Sequence, residues 1–131
     1  MKTVLSTYLG AAAVAAALLM PAAASSQTAP LEGALKKIAD DGVVVIGHRE
    51  ASIPFSYYDD TKNPVGYSMD LTAAILDRIK AKLGKPDLQI RKLPITSQNR
   101  ISLLQNGTID FECTTTTHNA SREQQVDFSN T

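Results

Sequence analysis

A run of four β-branched residues, Val43-Val44-Val45-Ile46, decides the fold class of this chain. β-branched side chains favour extended backbone, and a continuous apolar run is typical of a strand that is buried on both faces. Such strands belong mostly to parallel sheets, because the crossover helices of a parallel sheet cover both of its faces. The run therefore predicts an α/β fold with a mostly parallel sheet and flanking helices.

The segments around this run alternate between helix and strand signals. Ser68 is predicted to cap an amphipathic helix whose apolar residues recur at every fourth position, namely Leu71, Ile75, Ile79 and Leu83. Ser97 is predicted to cap a second, short helix. The predicted elements are a helix at 31–39, the strand at 43–46, a loop or hairpin at 54–67, the helix at 68–83, a strand at 88–93, a helix at 97–107, a strand at 108–113 and a helix near 119. This βαβαβ order predicts right-handed crossovers with helices on both faces of the sheet.

The first 24 residues have the layout of a secretory signal peptide. Lys2 precedes an apolar run of about 11 residues, which is shorter than the roughly 20 that a membrane-spanning helix needs. Small residues ending at Ala24 suit cleavage there. We therefore expect residues 1–24 to be a signal peptide, residues 25–30 to be a flexible lead-in and residues 31–131 to form the folded part, in the periplasm.

The charge balance argues against polyanionic partners. The sequence has 13 Lys and Arg residues against 13 Asp and Glu residues, and removal of residues 1–24 takes away only Lys2. Neither a nucleic acid nor an anionic membrane is suggested by such a balance. Cys113 is the only cysteine, so no disulfide can form within the chain.

Three arginines stand just after predicted strands. Arg49 follows the first strand, Arg100 lies in the first turn of the helix after the second, and Arg122 lies near the helix start after the third. Ligands of open α/β sheets bind outside the carboxyl ends of the strands, so these side chains are expected to meet in one crevice. A guanidinium can give a carboxylate two parallel hydrogen bonds, and several in one crevice predict a ligand with more than one negative group.

Signals for catalysis or metal binding are weak. His48 and His118 lack the spacing of a metal motif, and no phosphate-loop or dinucleotide fingerprint is present. Carboxylates such as Glu112 are too common to indicate hydrolysis by themselves. The sequence therefore predicts a binding protein with no metal site, no cofactor and no enzyme activity.

Several separate motifs occur in a fixed order after residue 46. They are Gly47-His48-Arg49-Glu50, Pro54-Phe55-Ser56-Tyr57-Tyr58-Asp59, Val65-Gly66-Tyr67-Ser68, Pro94-Ile95-Thr96-Ser97-Gln98-Asn99-Arg100-Ile101, the segment 103–113, Ser121-Arg122-Glu123 and Val126-Asp127-Phe128-Ser129. Together they resemble the extracellular solute-binding proteins for polar amino acids, specifically the glutamate/aspartate-binding subgroup. The resemblance covers essentially all of the chain after the signal peptide.

The resemblance implies a fold of two α/β lobes joined by hinge strands, with an amino acid trapped as the lobes close. Residues 31–131 would be the amino-terminal lobe, with the second lobe absent, and a lone lobe is expected to bind weakly or not at all. Arg122 would clamp the α-carboxylate of the ligand, assisted by Thr117 and by the backbone at Thr115.

The same resemblance implies that Arg49 and Arg100, helped by Ser97, hold the side-chain carboxylate of the ligand. The implied function is capture of glutamate or aspartate in the periplasm, as a monomer, and delivery to the membrane permease of an ABC-type importer. Two alternatives stay open, a periplasmic dehydratase-like enzyme on the same fold and the ligand-sensing domain of a membrane receptor.

Overall fold

A computed structural model describes residues 30–129 of the chain. The predicted signal peptide and residues 25–29 of the predicted lead-in lie outside the described residues. The elements, in chain order, are α1 (Gly33–Asp41), β1 (Val43–His48), β2 (Ala51–Ser52), β3 (Ser56–Tyr58), β4 (Pro64–Val65), α2 (Tyr67–Leu83), β5 (Gln89–Pro94), α3 (Arg100–Gln105), β6 (Phe111–Glu112) and α4 (Ala120–Glu123). No helix within residues 30–129 has the length and apolar character that crossing a bilayer requires.

The main sheet contains three parallel strands in the order β5-β1-β6. The prediction of an α/β fold with a parallel sheet and flanking helices is confirmed. The central strand β1 is less symmetrically buried than its sequence predicts. Val44 and Ile46 are 0% and 1% exposed, whereas Val43 and Val45, which point to the opposite face, are half-buried.

One hydrophobic core forms around α1, β1 and α2, with buried members Ile38, Val44, Ile46, Met69, Leu76 and Leu88. The predicted apolar stripe of α2 is correct only at its carboxyl end, where Ile79 and Leu83 pack against this core. Leu71 and Ile75 are 40% and 39% exposed. An α-helix has 3.6 residues per turn, so a pattern with period four drifts around the helix and leaves the core face at one end.

The start of α2 is anchored by backbone rather than by the predicted Ser68 cap. Gly66 precedes the helix with φ 113°, and the amides of Tyr67 and Ser68 donate to the carbonyl oxygens of Pro54 and Phe55 at 3.1 and 2.8 Å. A Cβ atom at Gly66 would lie 2.6 Å from each of these oxygens. The small antiparallel sheet β2-β3-β4 is thereby attached to the longest helix.

The start of α3 also differs from the prediction. The helix begins at Arg100, three residues after Ser97, and Ser97 does not cap it. Instead, the Thr96 amide donates to Asn99 Oδ1 at 2.8 Å and the Asn99 amide donates to Thr96 Oγ1 at 3.2 Å. This reciprocal pair closes the turn before the helix and leaves the Ser97 hydroxyl free for another contact.

The third strand is shorter than predicted because a side chain takes over part of the ladder. Asp110 Oδ2 accepts the Val45 amide at 2.7 Å, while the Asp110 amide donates to the Val45 carbonyl at 2.8 Å. The other carboxylate oxygen accepts from Lys37 Nζ at 2.7 Å, and the Asp110 side chain is only 1% exposed. An ion pair between the buried Asp110 carboxylate and the partly exposed Lys37 ammonium therefore joins α1 to the sheet.

Gly47 marks the face of the sheet opposite the main core. Because alternate residues of a strand point to opposite faces, Gly47 lies on the other side from Ile46. A Cβ atom there would lie 2.9 Å from Ile109 Cδ1 and 3.0 Å from Ile95 Cδ1. Both isoleucines are buried, so they form a second packing site beside Gly47, near the carboxyl end of β1.

Candidate functional site

The candidate site lies at the carboxyl ends of the three parallel strands. Arg49 directly follows β1, Arg100 opens the helix that follows β5, and Arg122 lies in the helix that follows β6. The parallel pairing puts these three strand ends on the same edge of the sheet. The topology thus brings together the three segments that the sequence singled out.

The small antiparallel sheet fixes Arg49. The Arg49 amide donates to Ser56 Oγ at 2.9 Å, and the same hydroxyl donates to the Arg49 carbonyl at 3.0 Å. Ser56 is fully buried, so this double contact is shielded from water. The guanidinium donates from Nη1 to Ser97 Oγ at 3.2 Å and from Nε to Ser52 Oγ at 3.4 Å. Arg49 is therefore held by two hydroxyl groups from different segments while it stays half-buried.

Arg100 is the most unusual charged residue of the site. It is 6% exposed, and its Nε and Nη1 have no hydrogen-bond partner among residues 30–129. Burial is the main cause that lowers the pKa of its guanidinium; the Glu112 carboxylate raises that pKa, and the charges of Arg122 and Arg49 lower it further. Arginine stays charged at neutral pH despite such a shift. The structure thus holds a buried cation with unused donors near two further cations.

Arg122 is placed by the loop that joins β6 to α4. Asn119 caps the helix by accepting the Arg122 amide on Oδ1 at 3.0 Å. The Arg122 side chain turns back and donates from Nη1 to the Thr117 carbonyl at 2.8 Å. Thr115 and Thr117 are exposed, and their hydroxyl groups make no hydrogen bond within the described part of the chain. Their predicted contacts with a ligand stay predictions.

Glu112 is a member of the site that sequence reasoning missed. Its two carboxylate oxygens accept hydrogen bonds from the hydroxyl groups of Thr114, at 3.0 Å, and Thr116. Its charge also acts on Arg100. The signal in the sequence was the spacing, because threonines two and four positions after an acidic residue at a strand end can fold back onto it.

Ser52 and Ser56 were missed as well. Neither stands out in the sequence, because both lie in the short strands of the small sheet and serine is common in such segments. Only the pairing of β2 with β3, which sets Ser52 opposite Ser56, brings both hydroxyl groups to Arg49. The spacing of three and seven residues after Arg49 gives no such pattern by itself.

The two histidines, which are the usual groups for acid–base catalysis, pack against aromatic rings. His48 is 2% exposed; its ring meets Tyr58 edge to face at 5.4 Å, and Nδ1 lies 3.2 Å from the Arg49 carbonyl. His118 stacks on Phe128 at 4.6 Å. Within residues 30–129, no three His, Cys, Asp or Glu side chains gather as metal ligands. The three guanidinium groups at this edge of the sheet can attract an anion.

The sequence matches known proteins along most of its length. A family model, bacterial extracellular solute-binding proteins, family 3, matches residues 44–131. The "Glutamate/aspartate import solute-binding protein" of Escherichia coli is 55% identical over 121 residues, which cover 92% of this chain and 40% of that protein. The protein of the same name in Salmonella typhimurium is 60% identical over 104 residues, with 79% and 34% covered. An "L-glutamate/L-aspartate-binding protein" of Pseudomonas aeruginosa is 47% identical over 124 residues, with 94% and 40% covered.

Solved structures share the fold. The cysteine-binding protein of Campylobacter jejuni is 29% identical with a TM-score of 0.64, covering 76% of this chain and 38% of that one. An ancestral amino-acid-binding protein, described as a precursor of cyclohexadienyl dehydratase, is 26% identical with a TM-score of 0.63, covering 73% and 39%. An arginine-bound mutant form of domain 1 from TmArgBP is 27% identical with a TM-score of 0.61, covering 73% and 69%.

This chain spans about 40% or less of the length of these curated relatives. The family model nevertheless matches well over half of the chain, and it includes the ends of all three parallel strands. The chain belongs to the bacterial extracellular solute-binding proteins, family 3.

Proposed function

We propose that this chain supplies an anion-binding half-site for an acidic amino acid, glutamate or aspartate, in a periplasmic protein that delivers its ligand to an ABC-type import permease. The observation that carries the proposal is the buried guanidinium of Arg100, whose Nε and Nη1 lack partners among residues 30–129. A buried donor without a partner is costly, and a cation more so. A ligand carboxylate beside Arg100 would compensate this charge.

The neighbouring arginine extends this pocket toward a side-chain carboxylate. Arg49 already donates to Ser97 at 3.2 Å, and both residues lie on segments next to Arg100. A carboxylate beside Arg100 is attracted by the charge of Arg49 as well. Amino acids with a neutral side chain offer no charge to this pair, so the pair favours an acidic ligand.

The α-carboxylate is assigned to Arg122 and the threonine loop. The guanidinium is half-buried and is steadied by the Thr117 carbonyl, while the hydroxyl groups of Thr115 and Thr117 are exposed beside it. Three arginines gather at this edge of the sheet, and the charges of Glu112, Arg122 and Arg49 act on Arg100. The clustered guanidinium groups favour a ligand that carries carboxylates on both of its ends, which supports an acidic amino acid over a neutral one.

The relatives support the same function, its location and its partner. Three proteins with 47–60% identity carry names for glutamate/aspartate binding or import. Family membership supports a periplasmic location and a membrane permease as partner, and the expected signal peptide is consistent with export. That the protein works as a monomer is part of the proposal. The arginine-bound form of domain 1 from TmArgBP is a precedent for an amino acid on a single domain of this fold.

The proposal includes no catalytic step. His48 is buried against Tyr58, and the carboxylate of Glu112 is occupied by two hydroxyl groups. A dehydratase needs a proton acceptor or donor that reaches its substrate. These groups are better explained as supports for the arginines, which favours binding over the enzymatic alternative.

The proposal is tested by titrating a full-length homologous protein, which carries residues 31–131 of this chain as its first lobe, with glutamate, aspartate, glutamine and arginine in a calorimeter. Glutamate or aspartate is expected to bind at least about 100-fold more tightly than glutamine, because the neutral ligand leaves a buried cation unpaired. Arg78→Ala removes one positive charge at an exposed position of α2 and is the control variant. It is expected to keep the preference for glutamate or aspartate. A preference for glutamine or arginine would refute the proposal.

A further inference from the structure

The four consecutive threonines after β6 are divided into two pairs. Thr114 and Thr116 are half-buried and donate their hydroxyl groups to Glu112, whereas Thr115 and Thr117 are exposed with unused hydroxyl groups. Identical side chains thus have different surroundings, and the difference is set by one carboxylate. The two pairs alternate along the loop, so anchoring one pair determines the direction of the other.

The anchored pair lies beside a cavity of about 200 Å³. Its lining combines Glu112, Thr114 and Thr116 with apolar side chains that include Ile101, Leu104 and Val126. Threonine hydroxyl groups on such a surface need an acceptor, because an apolar neighbour cannot replace the hydrogen bonds of water. Glu112 is the acceptor for both groups.

The geometry points to Glu112 as a positioning residue for the ligand-binding loop: it pins Thr114 and Thr116 and thereby presents Thr115 and Thr117 to the ligand. The inference rests on the proposed function, since it concerns how that site is shaped. Glu112 does not touch the ligand in this scheme. Its negative charge lies near Arg100, where by itself it would weaken the binding of an anion.

The two possible roles of Glu112, as a nearby charge or as a positioning residue, predict opposite changes in glutamate affinity when Glu112 is replaced by Gln. If Glu112 acted only as a nearby charge, Glu112→Gln would strengthen glutamate binding. As a positioning residue it does the reverse, because a neutral amide offers only one acceptor oxygen, so the two charge-assisted hydrogen bonds from Thr114 and Thr116 are lost or weakened. We expect Glu112→Gln to weaken glutamate binding about tenfold, the loss typical for a hydrogen bond to a charged group.

The hydroxyl donors provide a second, independent test. Thr114→Val and Thr116→Val together keep the side-chain shape but remove both donors, and they are expected to weaken glutamate binding as Glu112→Gln does. Thr114→Ser and Thr116→Ser together restore both donors and regain most of the affinity. Glu50→Gln, which removes an exposed negative charge next to Arg49, is the matched charge control and is expected to cause no loss.

Backbone order parameters from NMR relaxation of the free protein test the same inference without any ligand. The order parameters of residues 114–118 are expected to fall in Glu112→Gln relative to the wild type, while those of α2 stay unchanged. Unchanged order parameters in this loop, or glutamate affinity that stays equal or rises in Glu112→Gln, would overturn the inference. Failure of the wild type to bind any acidic amino acid would refute the proposed function instead, and the order parameters of the loop would still decide the role of Glu112.

Discussion

Two buried charges of this chain, Asp110 and Arg100, differ in how completely they are paired. Asp110 has Lys37 on one oxygen and the Val45 amide on the other. Arg100 is buried almost as deeply, yet its Nε and Nη1 have no partner among residues 30–129. One charge lies where α1 meets the sheet, and the other lies at the carboxyl ends of the strands.

The difference indicates that the paired charge of Asp110 contributes to stability, whereas the unpaired charge of Arg100 is available for ligand binding. A buried ion with all of its hydrogen bonds made holds elements together, and breaking it leaves an uncompensated charge. A buried ion with unpaired donors does not stabilise the free protein. Its charge is compensated only when a ligand binds beside it. We therefore expect substitutions at the two charges to affect different measurements.

The largest effect is expected for Asp110→Ala. The substitution leaves the Val45 amide without its acceptor and Lys37 without its partner, and it should lower the free energy of unfolding by about 3 kcal/mol. Urea denaturation measures this loss. Asp40→Ala, which breaks the exposed pair between Lys36 and Asp40, is the matched control and should cost less than about 0.5 kcal/mol. Equal losses in the two variants would remove the structural role of Asp110.

Arg100→Met is expected to act in the opposite way. Glutamate affinity should fall on the order of 100-fold, about 3 kcal/mol, because the charge that the ligand carboxylate needs is gone. The free energy of unfolding of the free protein should not fall, since an apolar side chain of similar length replaces an unsatisfied cation. Calorimetry and urea denaturation on the same samples check both parts. A variant that loses stability and keeps its affinity would reverse our comparison of the two charges.

A smaller effect is expected at Arg49, which has partners in the free protein. Arg49→Lys keeps the charge but loses the planar fork that reaches Ser52 and Ser97, so glutamate affinity should fall about tenfold. Arg91→Lys, at an exposed position of β5, is the control. If Arg49→Lys bound glutamate as the wild type does, charge alone would account for the contribution of Arg49.

The smallest effect is expected for the pH dependence of the free energy of unfolding, through Cys113. This residue lies in sequence between Glu112 and the four threonines at 114–117. Burial raises the pKa of its thiol, a hydrogen bond with Thr72 offsets part of the rise, and the Glu112 charge adds to it. A raised pKa means that the folded protein holds the proton more tightly. This contribution to stability is fully present below the ordinary thiol pKa of about 8.5 and is lost as the pH rises through the folded value.

The corresponding measurement is the free energy of unfolding as a function of pH for the wild type and for Cys113→Ala. Between about pH 8 and pH 10 the wild type should lose more stability than the variant, because only the wild type has the thiol to ionise. Parallel curves would show that the surroundings of Cys113 do not disfavour the thiolate.

Sequence reasoning was most successful where local pattern and topology coincide. The run at Val43 identified the central strand, which spans Val43–His48 and lies between the other two strands of the main sheet. The three arginines follow strands in the chain, so knowing that the strands are parallel was enough to place them at one edge.

It was least successful where distant backbone replaces a local side chain. Ser68 and Ser97 have the chemistry of helix caps, yet the carbonyl of Phe55 takes the Ser68 amide and Arg49 takes the Ser97 hydroxyl. Glu112 was dismissed as an ordinary carboxylate because its two partners are visible only once the loop is folded. Such contacts depend on three-dimensional proximity, which residue type and spacing do not encode.

The attachment at Gly66 has a consequence for engineering the binding specificity of this family. The turn at Pro54 and Phe55 anchors the first amides of α2, and the same small sheet holds Arg49 through Ser52 and Ser56. A graft that exchanges this sheet between relatives therefore has to carry Gly66 and the first turn of α2 with it. The transferable unit is the whole segment from Arg49 to the start of that helix, and a shorter graft would separate the arginine from its support.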